Sequence, residues 1–187
     1  MPVHEAWGRV TQWLADHAPV NAATLCPPAS LEEVWTAERE MGMPVPQEVR
    51  EWLVINNGVR DTGPDPETGW HANADSCFLT CTRYPLSTAH MVRVYRERLA
   101  YADGDTLAWS PRWIPFAADG DWFGGNFVDM DTGAVGSWGD YGELDLDMYP
   151  SLAAYFDNEL SEITRYVADH YGELISLSGG RITYDPS

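Results

Sequence analysis

The stretch FVDMDTGAVGSW, residues 127 to 138, most constrains what this chain can fold into. Phe127, Val128 and Met130 on one side and Ala134, Val135 and Trp138 on the other flank Asp131-Thr132-Gly133. Two apolar arms around a short Asp/Gly turn form a β-hairpin signal, because glycine supplies the backbone conformation that a tight turn needs. The centre of the chain is therefore predicted to be antiparallel sheet.

Around that hairpin the apolar spacing changes to three and four residues, the period of a helix. Val3, Trp7, Val10 and Leu14 predict an amphipathic helix over 3–17, stopped at Pro19. After the Pro-rich link CPPAS, Ser30 and Glu33 form a capping box ahead of LEEVWTAEREM, and Gly42 supplies the terminator. Leu31, Val34, Trp35, Glu38 and Met41 are predicted to lie along its inner side. Pro46 opens a third helix with Val49, Trp52, Leu53 and Asn56 inward. Residues 59–76 read as a long polar loop, and CFLTC (77–81) as a short strand. Ser87 caps a further helix with Met91, Val92, Tyr95 and Leu99 inside. Arg93, Arg96 and Arg98 are placed on its outer face, which could bind an anion, but Arg93 and Arg96 are expected instead to pair with Glu97 or with the acidic second half of the chain. Leu152, Tyr155, Phe156, Leu160, Ile163 and Val167 predict a final helix, and the tail ELISLSGGRITYDPS reads as a hairpin or an extended arm. Helices first, strands in the middle and a closing helix indicate an α+β fold with a central, mostly antiparallel sheet flanked by helices. With 187 residues, one domain over 1–175 and an arm or extra hairpin over 176–187 is the expected organisation.

Charge narrows the function classes. The chain holds 29 acids against 11 bases, a net −18, and every base is Arg. From Trp113 to Thr164 there are eleven acids and no Arg, Lys or His. Such a field repels nucleic acid and anionic membranes and accelerates encounter with a basic partner. No apolar run reaches the eighteen residues of a membrane span, and the first residues lack the basic and apolar regions of a secretory leader. Three cysteines do not make a disulfide framework. The expected location is cytoplasmic.

DGDWFGGNFVDMDTG (119–133) invites a ligand, with four Asp and four Gly in fifteen residues. The calcium-loop pattern fails from Asp119, where Phe123 and Met130 occupy ligand positions, and from Asp129, where Gly133 and Ala134 break it. A calcium site built from Asp129 and Asp131 alone remains an alternative. No Lys follows GGN and no helix starts there, so the stretch is not a phosphate cradle. Cys26, Cys77, Cys81 and His71 match no standard zinc spacing. Asp119 with Asp121, or Asp129 with Asp131, could supply an acid and a base, but short acids also favour turns that face water. Trp122, Phe123, Trp138 and Tyr141 sit among acids and glycines, where aromatic anchors of an interface would be found. A Trp beside a hairpin ordinarily packs under it, so core is the favoured expectation for this group, with Trp138 and Tyr141 the exceptions most expected to be exposed.

Three stretches together resemble the SUKH superfamily, which includes fungal regulators of cell-wall assembly and bacterial immunity proteins. They are PPASLEEVWTAEREMGMPVPQEVREWLVINNG (27–58), with its P-x-P-x-x-V-R-x-W-L unit, WIPFAADGDWFGGNFVDMDTGAVGSWG (113–139), and YPSLAAYFDNELSEI (149–163). The resemblance implies the same α+β fold and a non-enzymatic interaction module needing no cofactor or metal. The expected function is an immunity protein that neutralises a basic toxin, for instance a nuclease, by binding it. Asp119, Asp121, Asp129, Asp131, Trp138, Asp140, Tyr141 and Glu143 are the partner-binding candidates. Alternatives are a regulatory or scaffold protein with no toxin partner, and a calcium-binding or metal-dependent hydrolase domain.

Overall fold

In the computed structural model, residues 1–60, 67, 71, 73–102, 109–139, 142–168 and 175–184 are described. Helix α1 (Val3–His17) buries Val3, Ala6, Trp7, Val10 and Leu14, the stripe its period predicts. Pro19 ends it only in part, since it also starts the four-residue α2 (Pro19–Ala22) at a position where its missing N–H costs nothing. Helix α3 (Leu31–Met41) carries the complete capping box: Ser30 accepts from the Glu33 N–H, and the Glu33 carboxylate accepts from the Ser30 N–H at 2.7 Å. Gly42 closes the helix at φ 77°, a left-handed conformation that suits glycine.

The inner side of α3 differs from the expected one. Val34, Ala37 and Met41 are buried, whereas Leu31 and Trp35 are 55% and 52% exposed. The helix packs chiefly on α5, so one narrow stripe is covered and the neighbouring one faces water. Helix α4 (Gln47–Leu53) buries Val49, Trp52 and Leu53. Asn56, just beyond it, donates to the Cys26 and Gly58 carbonyls at 2.8 and 3.0 Å.

CFLTC is not a strand. Cys77 and Phe78 precede a 3-10 turn at Thr80–Thr82, and the first strand, β1, is Tyr84–Pro85. Apolar runs this short do not separate strand from turn by pattern alone. Helix α5 (Thr88–Ala102) starts as expected, with Ser87 Oγ accepting from the His90 N–H. Arg98 is not on its outer face: it is 5% exposed. Arg96 pairs with Glu40 of α3 at 2.9 Å, not with Glu97 or the acidic half.

The sheet is an antiparallel meander in the order β1-β2-β3-β4-β5, with β2 Trp113–Ala118, β3 Gly125–Asp129, β4 Val135–Trp138 and β5 Leu144–Tyr149. The hairpin predicted from FVDMDTGAVGSW is β3–β4, with Val128 opposite Val135 and Gly125 opposite Trp138. Gly125 is required there, because a Cβ would lie 2.2 Å from the Trp138 ring and 2.4 Å from the Ala117 carbonyl. On one face, Phe116 meets Tyr155, Phe156 and Trp52, and Trp7 packs on Phe156 at 4.6 Å between ring centres. That aromatic cluster joins α1, α4 and α6 (Leu152–Ala168) to the sheet. Elsewhere Trp109 packs edge-on against Trp113, Phe127 and Trp138, and Trp113 stacks on Phe127 at 4.5 Å. Aromatic pairs in these offset and edge-to-face arrangements add to the burial of their area.

Strands β6 (Ile175–Ser178) and β7 (Arg181–Tyr184) form a second, two-stranded sheet whose turn is Gly179-Gly180, both at positive φ. The Ile182 N–H donates to Asn21 Oδ1 at 2.8 Å, and Asn21 Nδ2 donates to the Asp75 carbonyl at 2.8 Å. Ile182 is itself buried, so the hairpin is docked onto α2 and not free of the body.

Candidate functional site

At the end of the sheet where β2 leaves and β3 begins, the chain forms an open polar hollow of about 400 Å³. Arg83, Asp119, Ser137, Trp138, Glu143 and Asp145 line it. Arg83 comes from the residue before β1, Asp119 from the residue after β2, Ser137 and Trp138 from the end of β4, Glu143 from the residue before β5 and Asp145 from the start of β5. Antiparallel register brings these together: Ser137 lies opposite Asp145, and Trp138 opposite Leu144.

Asp119 is the most perturbed acid in the hollow. Its Oδ2 accepts from the Gly124 N–H at 2.6 Å, closing the 119–124 turn, while Oδ1 is buried and meets no donor. Burial is the largest influence on its carboxyl, followed by contact with the Asp121 carboxyl and that group's charge. The Gly124 N–H and Arg83 oppose them, and the result is a carboxyl pushed up to about 7. Arg83 donates to Asn126 Oδ1 at 2.8 Å, and Asn126 is held further by the Tyr155 hydroxyl and the Gly136 carbonyl. Behind this network Glu159 is 2% exposed and accepts from the Thr80 N–H and hydroxyl, each at 2.7 Å; burial pushes its carboxyl up.

The same turn holds Trp122 at φ 66°, a conformation costly for a bulky side chain. The surroundings fix it there. Its indole N–H donates to the Tyr84 hydroxyl at 2.5 Å, His71 stacks on the ring at 3.6 Å, and the Arg93 guanidinium lies 4.9 Å from it. The buried Arg98 donates to the Trp122 carbonyl and sits 5.4 Å from the Trp138 ring. With Trp122 turned in, Phe123 turns out and is 50% exposed.

The candidate residues fall into two groups. Asp119, Trp138 and Glu143 line the hollow, with exposed Asp121 beside it. Asp129 and Asp131 lie at the other end of β3, roughly 13 Å away by strand rise. There they hold the β3–β4 turn. Asp129 accepts from the N–H groups of Asp131 and Thr132 and from the Trp113 indole at 3.0 Å, while Asp131 pairs with Arg112. Trp138, expected to be exposed, is 3% exposed, because it fills the gap over Gly125. Asp140 and Tyr141 lie outside the described residues. Arg83, Ser137 and Asp145 escaped the reading of the sequence. Only LDLDMY (144–149), with its two-residue alternation, carried a signal for β5. Among the described residues no helix is long and apolar enough to cross a membrane, and no three His, Cys, Asp or Glu side chains are grouped as metal ligands would be.

A helix-flanked antiparallel meander with an open, carboxylate-rimmed hollow at one end defines an α+β domain. The chain belongs to the SMI1/KNR4 family (SUKH-1), whose model matches residues 28–161. It is also 27% identical, over a 160-residue alignment, to the cell wall biosynthesis/cell cycle regulator smi1 of Schizosaccharomyces pombe. That alignment takes in 74% of this chain but 30% of the yeast protein, so the chain spans under a third of that relative. Membership in the family supports a non-catalytic regulatory or binding module.

Proposed function

We propose that this chain is an immunity-type module that acts in the cytoplasm and neutralises a basic toxin, a nuclease being the physically favoured case, by binding over its working surface. The observation that carries this reading is the hollow. Asp119, Glu143 and Asp145 converge there, take part in none of the ion pairs among the described residues, and belong to a 52-residue span without a base. A nuclease carries Lys and Arg to hold phosphates, and those cations are what such a rim attracts.

The test is the association rate with the product of a neighbouring secreted-toxin gene, measured against salt. Asp119→Lys, Glu143→Lys and Asp145→Lys together should slow association by about tenfold or more and flatten its salt dependence. Asp131→Lys, at the opposite end of β3, should change it far less. An unchanged rate in the triple variant would sink the reading.

A second reading is a regulatory module with no toxin partner, and the match to the yeast regulator favours it. Its docking segments would be the 59–76 loop and the C-terminal hairpin. Ser176→Arg with Ser178→Arg, both at exposed hairpin positions, separates the two: partner binding lost there and kept in the triple Lys variant selects the regulatory module.

A further inference from the structure

We propose that β5 carries the docking knob for the basic partner: an apolar side chain of an extended basic segment packs on Leu146 and Met148, while its neighbouring Arg or Lys reaches Asp145 and the hollow. This rests on the binding-module reading above and names the surface that module uses.

Among the described residues, strand β5 is the last in the sheet and pairs only with β4. Its register jumps, with Val135 opposite Tyr149 and Ser137 opposite Asp145, so Gly136 alone faces residues 146–148 and the strand bows outward. Asp147 takes φ 54° at the bow, a conformation that Asp adopts more readily than most residues. Four consecutive residues, 145–148, are exposed, with Leu146 at 57% and Met148 at 43%. A strand of an antiparallel sheet ordinarily turns its apolar residues into the core. These two sit in water.

Protecting an open edge explains part of this strand. Bulges and acidic side chains discourage pairing with stray chains. That purpose does not explain two large apolar side chains on the bulge, where Ser or Thr would protect the edge as well. A flexible Met beside a Leu is instead an adaptable contact surface. Charge decides what covers it. A second copy brings another −18 and the same acids, so self-association through this edge is opposed. A basic segment meets Asp145 and Asp147 beside the knob and, through Asp145, the hollow with Asp119 and Glu143. Asp145, which lines the hollow, is the residue next to Leu146, so knob and hollow adjoin along the chain.

The experiment uses the full chain, isotopically labelled, with amide resonances followed as capped Arg-Leu-Arg-Leu-Arg is added at low salt. Glu-Leu-Glu-Leu-Glu is the control. The expected result is perturbation confined to 137–149 and the 119–124 turn, by the basic peptide only, with affinity reduced about fivefold in Leu146→Ser/Met148→Ser. Both positions are exposed, so that variant should melt with the parent, and the melt is measured alongside. Perturbation centred on Leu31 and Trp35, or equal affinity in the double Ser variant, overturns the knob and leaves the binding-module reading standing. Concentration-dependent self-association through 143–149 makes a second copy the occupant and also overturns it. A basic peptide that binds nowhere counts against both.

Discussion

Asn21 and Ile182 lie 161 positions apart and are joined by a 2.8 Å hydrogen bond from the Ile182 N–H to the Asn21 side chain. Asn21 is fully buried and also donates to the Asp75 carbonyl, so one side chain ties the C-terminal hairpin, α2 and the turn at 74–76 together. Removing it strands a buried donor. Asn21→Ala should cost about 2–3 kcal/mol and lower the melting temperature by roughly 5–10 °C. A calorimetric melt within 2 °C of the parent would show that the hairpin is not held through this residue. The same tie means that truncating the tail damages the body and cannot serve as a clean binding test.

Asp119 predicts how stability depends on pH. Its folded carboxyl titrates at about 7, above its ordinary 3.8, so the folded chain holds this proton more tightly than the unfolded chain. Between those values the native state binds more protons, and the contribution of Asp119 to stability falls as pH rises. The ionised group is the costly one, by about 2 kcal/mol at pH 8 once solvent screening of a partly exposed site is allowed for. Asp119→Asn keeps an acceptor for the Gly124 N–H and removes the charge. It should raise the melting temperature at pH 8, do little at pH 4, and flatten the slope between pH 5 and 8. A variant that is destabilised equally at both pH values refutes the assignment.

The aspartates of the β3–β4 turn predict an insensitivity. Asp129 accepts from two main-chain N–H groups and the Trp113 indole, and Asp131 pairs with Arg112, so both carboxylates are occupied by the protein. Added calcium at about 1 mM should shift the melt by less than about 1 °C, because a ligand stabilises only in proportion to its binding. A clear calcium-dependent rise, abolished by Asp129→Ala, would restore the calcium reading.

Gly125→Ala tests the packing that buries Trp138. The new Cβ meets the Trp138 ring and the Ala117 carbonyl, and the carbonyl belongs to a paired strand and cannot swing away. The expected loss is about 3 kcal/mol, with Trp138 fluorescence shifted to longer wavelength as the ring is pushed toward solvent. Unaltered stability and emission would mean that β3 and β4 can separate without cost.

Much of the fold was legible in the sequence where the signal is local. The Ser30–Glu33 capping box, the Gly42 terminator, the α1 stripe and the Asp-Thr-Gly hairpin each depend on residues within about four positions of one another, and each stands as read. The family's motifs carried the α+β order across the chain for the same reason. The sheet's last strand went unread although LDLDMY alternates, and the bulge at Asp147 then leaves Leu146 and Met148 in water where an alternating strand would bury them.

By itself, the sequence determined where helices start and stop, where the chain reverses, and that 52 consecutive residues carry no positive charge. Only the tertiary structure decided which face of each element is covered. It put Trp138 and Arg98 inside and left Leu31, Trp35, Leu146 and Met148 in water. It also sent the aspartates of one short stretch to two ends of a strand, one pair bracing a turn and the other beside an open hollow. Caps and turns are settled between near neighbours, but burial depends on what packs from elsewhere in the chain, and a surface exists only once the sheet has brought distant residues to one edge.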